Sequence, residues 1–76
     1  MNKERRKEIA RAIAMIEEAK SILETCSDEE QDYFDNMPES FQDGQKGEDA
    51  QTAIDALDEG VSNLEDVSQA LGDIVV

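Results

Sequence analysis

From Ala50 to Val75 the apolar side chains keep a seven-residue rhythm. Ala50, Ile54, Leu57, Val61, Leu64, Ser68, Leu71 and Val75 follow one another at steps of four and three, and Ser68 is the one polar member. That period lays a continuous stripe along one side of an α-helix and predicts a helix over about residues 48–74. Ala53, Val67 and Ile74 broaden the stripe, and Glu48 and Asp49 fall in the first turn, where acids suit the helix dipole. Gly60 and Gly72 each cost about 1 kcal/mol against alanine in a helix interior. They leave open either close approach of another helix or plain tolerance.

The first part of the chain supplies a matching stripe. Ile9, Ala12, Ile13, Ile16, Ala19, Leu23 and Cys26 recur at steps of three and four, and Met15 and Ile22 widen the arc they cover. No glycine or proline interrupts this segment, which is rich in Ala, Glu, Lys, Ile and Leu, and Asn2 is a good N-cap. A helix over about residues 3–26 follows. Ser27-Asp28-Glu29-Glu30 then has capping-box spacing, so the helix either stops near Cys26 or continues to Asp35.

Between the two patterns lies a stretch of different character. Tyr33 to Gln42 holds every aromatic residue and the only proline. Pro38 lacks the N–H that would bond to Phe34 and disfavours helix at Met37, which predicts a break at residues 36–37. Asn36 and Glu39 repeat the cap spacing and suggest one short turn through about Gln42. Tyr33, Phe34, Met37 and Phe41 form an apolar patch that is expected to fold over the open end of a hairpin; the alternative is a docking patch for a partner. Asp43-Gly44-Gln45-Lys46-Gly47 reads as the loop.

Two rods of similar length joined by a corner give an all-α fold: one domain over residues 1–76, an antiparallel helical hairpin with its corner and loop at about 27–47. A hairpin buries one seam, whereas both stripes are wider than one seam. A homodimer forming a four-helix bundle is therefore expected, with a three-helix monomer closed by the corner as the other solution. At 76 residues a single core is marginal, so a second copy would also help stability.

Charge narrows the partners. The formal net charge is −13, yet residues 1–20 carry a net +2 and residues 21–76 a net −15. Such a body repels nucleic acid and anionic membrane and attracts basic protein surfaces. Lys3, Arg5, Arg6, Lys7 and Arg11 sit at the wrong end of their helix for its dipole. In a hairpin that end is expected to lie beside Glu65, Asp66 and Asp73. A basic nucleic-acid arm is the competing reading, opposed by Glu4, Glu8 and the acidic remainder. No signal peptide or membrane-spanning run is recognisable, and a reducing cytoplasm fits best.

Enzyme, metal and cofactor chemistry find no foothold in the sequence. With no histidine and the single Cys26, neither an internal disulfide nor a Cys/His zinc site can be built, and Cys26 is expected to be a small buried apolar residue. Neither the Asp28–Asp35 cluster nor the acids around Gly44 match a calcium-binding loop, and no serine has a histidine base. No catalytic, metal or cofactor residue is therefore assigned.

The run Asp28-Glu29-Glu30-Gln31-Asp32-Tyr33-Phe34-Asp35-Asn36-Met37-Pro38-Glu39-Ser40-Phe41-Gln42, followed by Gly47-Glu48, resembles a corner found in small acidic helical proteins of phages and prophages. The resemblance covers about residues 28–65 and implies a mobile-element origin, a bacterial host cytosol and a helical fold; it carries over no activity. The functional expectation is a non-enzymatic interaction protein, an inhibitor that binds a basic nucleic-acid-binding site on a host protein by charge mimicry. Its surface would be Glu24, Asp28, Glu29, Glu30, Asp32, Asp35, Asp55, Asp58, Glu59, Glu65 and Asp66. The alternative is a homo-oligomeric assembly adaptor whose carboxylates serve only solubility.

Overall fold

The computed structural model describes residues 1–75. Helix α1 spans Lys3–Asp35, α2 spans Glu39–Gln42 and α3 spans Gln45–Gly72. α1 and α3 pack along each other as an antiparallel hairpin, 58 × 14 × 13 Å, and α2 is a single turn at the corner. One turn covers the corner end of the hairpin and leaves its sides open.

α1 starts where its cap predicts: the Asn2 side chain accepts from the Arg5 amide at 2.8 Å. It then runs unbroken through the Ser27 cap spacing to Asp35. Ser27 does not start a new helix because its hydroxyl has a better use: it is buried and donates to Asp58 Oδ1 at 2.7 Å. Asn36 likewise ends α1 instead of starting α2. Its side chain and its amide both donate to the Asp32 carbonyl, and Pro38 takes the N-cap place of α2 without a side-chain bond.

The expected loop is mostly helix. α3 begins at Gln45, three residues early, with Gly44 as its N-cap. Gly47 is buried because the α2 backbone rests on it: a methyl there would come within 1.9 Å of the Gln42 carbonyl oxygen. The Gln42 side chain in turn donates to the Phe34 carbonyl at 3.0 Å and ties α2 to the end of α1. Corner and hairpin are thus one packed unit.

The α3 heptad packs as its rhythm predicts. Ala50, Ile54 and Ser68 are buried, and Leu57, Val61, Leu64, Leu71 and Val75 are half-buried. On α1, Ile9, Ile13, Ile16, Ala19, Leu23 and Phe34 are half-buried against it, whereas Ala12, Met15, Ile22 and Cys26 are exposed. Cys26 is therefore a surface thiol and not a core residue. Gly60 and Gly72 prove to be tolerated, since a methyl at Gly60 would sit 3.8 Å from Leu23 and one at Gly72 would meet nothing.

Candidate functional site

Three side-chain pairs set the register of the hairpin. Ser68 Oγ donates to Glu17 Oε1 at 2.6 Å, the Lys20 ammonium donates to Glu65, and Ser27 pairs with Asp58. The residue numbers in every pair add to 85, so Val75 lies level with about Ala10 and Lys3–Ile9 run on past it. The basic residues of that overhang do not meet Glu65, Asp66 or Asp73 as expected. Among the described residues the only ion pairs are Arg11–Glu8 at 3.5 Å, Lys20–Glu17 at 3.4 Å and Lys20–Glu65. Lys3, Arg5, Arg6 and Lys7 are exposed and form no ion pair among the described residues.

All three cross-helix pairs lie toward one side of the hairpin. There an open cleft of ≈ 520 Å³ is lined by Lys20, Glu24, Ser27, Asp28, Asp58, Val61, Ser62 and Glu65. Four of the predicted acidic residues thus come together: Glu24, Asp28, Asp58 and Glu65. Helical phase puts Asp35 and Asp55 on the same side, where each accepts from a glutamine four residues earlier. The rest do not belong to this face. Glu29 and Asp32 point outward from α1, Glu59 and Asp66 outward from α3, and Glu30 is half-buried. The acidic surface is distributed around the rod and concentrated at one cleft.

Two of the cleft carboxylates also have structural work. Glu65 holds Lys20, and Asp58 holds the buried Ser27 hydroxyl. Residue types alone did not mark Lys20, Glu17, Ser27 and Ser68 as a bonded set. The signal that could have found them was Ser68, whose place in an apolar heptad demands a partner for its hydroxyl.

The ion pairs also fix a pH window. The hydrogen bond to Glu65 raises Lys20 above the ordinary 10.5, helped by Glu17. Its stabilisation is therefore complete below that value and is lost as pH rises through the higher folded one. The Ser68 hydroxyl, then Lys20, lowers Glu17 below 4.5, so its stabilisation is present above 4.5 and is lost as pH falls through the lower folded value. Lys20→Gln is expected to lower Tm modestly at every pH between these limits, because exposed pairs contribute little. The gap from wild type should narrow in acid as Glu17 titrates. Thermal melts of both proteins across that range check it; a constant gap down to strong acid would contradict the assignment.

At the corner, Phe34 and Met37 are half-buried as the plug predicts, but Tyr33 and Phe41 stay 52% and 49% exposed. These two line a second, smaller cleft with Asn36, Met37, Pro38 and Lys46, and the Lys46 ammonium stands 5.4 Å from the Phe41 ring centre. Among the described residues no group of three or more Cys, Asp or Glu side chains is placed to hold a metal ion, and no helix is long and apolar enough to cross a membrane. Comparison with protein families, curated proteins and solved structures finds no match to this chain.

Proposed function

We propose that this chain is a small non-enzymatic interaction protein that binds a basic, nucleic-acid-binding site on another protein by charge mimicry. The observation that supports this is charge density on a stiff rod. The chain carries a net −13 on a body 58 Å long, one charge per about 4.5 Å, against one per about 3.4 Å along a DNA strand. Helices hold these carboxylates at fixed spacing, and Glu24, Asp28, Asp58 and Glu65 meet around one cleft. With the phage-like corner, the partner would be a nucleic-acid-handling protein of a bacterial host and the outcome its inhibition.

A second reading, a homo-oligomeric assembly adaptor, is favoured by one observation: Met15, Ile22, Val67 and Ile74 are large, apolar and 44–60% exposed. Salt separates the two. The immobilised protein, exposed to bacterial lysate and eluted with a salt gradient, is expected to release one nucleic-acid-handling protein at moderate salt, because exposed charge contacts are screened. Glu24→Gln, Asp28→Asn and Asp55→Asn together are expected to cut that binding at least tenfold with helicity unchanged, since none of the three carries a cross-helix bond. Glu59→Gln with Asp66→Asn, outside the cleft, is the comparison. Partners held only by the apolar residues and indifferent to salt would sink the mimicry reading.

A further inference from the structure

The side of the hairpin opposite the carboxylate cleft carries a second pair of apolar stripes. On α1, the exposed Ala12, Met15, Ile22 and Cys26, with half-buried Ala19 at the edge they share with the stripe packed on α3, step by three and four. On α3, Ala56, Gly60, Asn63, Val67, Ala70 and Ile74 do the same. Each second stripe is turned about 100° from its own contact stripe, and in the same rotational sense along each chain. Because the helices are antiparallel, equal senses bring both stripes to one side of the molecule. Gly60 and Leu23 meet at the seam between them. No charged residue interrupts either stripe. Their midpoints, near Ala19 and Glu65, also fall at the same level in the register set by the cross-helix pairs.

The exposed area exceeds that of a compact protein of the same mass. A compact protein of 8.5 kDa exposes about 4,700 Å², whereas this chain exposes 5564 Å². The excess of roughly 900 Å² is close to the ~800 Å² that each partner contributes to a standard interface. Among the described residues only Ala50 and Ile54 form a buried apolar core, so the hairpin alone has a thin core.

We infer that a second copy of this chain covers this face, related by a two-fold axis that crosses the helices at the level of Ala19, so that the two hairpins lie end over end. Charge selects this polarity. Turning one copy about Ala19 sets the exposed Lys3, Arg5, Arg6 and Lys7 level with residues 31–35 of the other, beside its Asp32 and near its Glu29 and Glu30. A two-fold running along the bundle would instead put both basic overhangs at one end, past both copies of α3, and both acidic corners at the other. The end-over-end dimer answers why cations sit at the wrong end of their own helix: their partners belong to the other subunit. It leaves the carboxylate clefts on the two outer sides of the bundle, so it stands whether or not the mimicry reading does.

Sedimentation equilibrium of the full chain tests the face. The wild type is expected at twice its 8.5 kDa mass, and Val67→Glu at the monomer mass; a monomeric wild type, or a Val67→Glu dimer of unchanged affinity, overturns the proposal. Reversing Lys3, Arg5, Arg6 and Lys7 to Glu is expected to weaken the dimer at least tenfold at low salt and much less at high salt. No weakening overturns the polarity. Disulfide trapping reads the polarity directly. With Cys26→Ser in the background, Ala19→Cys is expected to oxidise to a linked dimer, because the axis brings the two copies of position 19 together. The wild-type Cys26 is expected not to link, since its two copies are about 20 Å apart along the bundle, beyond disulfide reach. A Cys26-linked dimer without an Ala19→Cys-linked one overturns the arrangement.

Discussion

Gly47→Ala is expected to destabilise the protein by about 3 kcal/mol, at the upper end of what overpacking costs, and to lower Tm by roughly 10–20 °C. The added methyl would meet the carbonyl oxygen, carbonyl carbon and Cα of Gln42 at 1.9, 2.5 and 2.7 Å. All three are backbone atoms, so no side-chain rotation relieves the clash. Either α2 lifts away or the first turns of α3 shift. A lifted α2 strains the Gln42–Phe34 bond and uncovers Met37 and Phe34, and a shifted α3 loosens Ala50 and Ile54 behind it. Gly60→Ala and Gly72→Ala serve as internal contrasts. Both positions have room for a methyl; Gly60→Ala, inside α3, is expected to gain about 1 kcal/mol from helix propensity, and Gly72→Ala, at its last residue, less. Far-UV circular dichroism melts of the three variants rank them. A Gly47→Ala protein that melts with the wild type would mean that the corner is not held as described.

That contrast marks where the sequence was readable. Gly60 and Gly72 attract notice because they lie within a helical pattern, yet they meet little. Gly47 is the glycine the fold requires, and it hides in a polar segment that reads as loop. Period is a local property, and the two stripes, the hairpin and the break at Pro38 were legible from it. The contact between Gln42 and Gly47 depends on how a one-turn helix folds back, and local pattern does not encode that. Ser27 shows the same limit from another side. A serine followed three residues on by glutamate has the composition of a cap, but a partner across the hairpin, Asp58, takes the hydroxyl, and tertiary bonding overrides the local motif. The acidic residues were legible as a set and not as a face. Their number gives the charge, whereas their distribution follows from register, which three cross-helix pairs fix and none of which the spacing of acids reveals. The widths of the two apolar stripes, by contrast, did carry information beyond the hairpin, because Met15, Ile22, Val67 and Ile74 are left uncovered once α1 and α3 have packed.

Ile54→Ala is expected to cost about 3 kcal/mol, within the 2–5 kcal/mol typical of truncating a buried isoleucine. A domain of this size holds only about 4–11 kcal/mol in all, so the variant should be close to unfolding at ambient temperature. Ile54 is 4% exposed and, with Ala50 at 2%, makes up the fully buried apolar core. By the register of the hairpin it lies level with Gln31, one turn from Phe34 and near the turn of α3 on which α2 rests. The firmest packing is therefore at the corner, and the opposite end depends on half-buried Ile9, Ile13, Leu71 and Val75. The same truncation at Ile22, which is 56% exposed, removes almost no contact within the hairpin and should cost well under 1 kcal/mol in a dilute monomer. Urea titrations are expected to shift the Ile54→Ala midpoint sharply while leaving the slope unchanged. Ile22→Ala should shift it mainly at high protein concentration, where the proposed dimer would form. Amide exchange should slow from the open end toward residues 47–54. If exchange is instead slowest around Ile13 and Leu71, the core does not sit at the corner, and the large cost assigned to Ile54 falls with it.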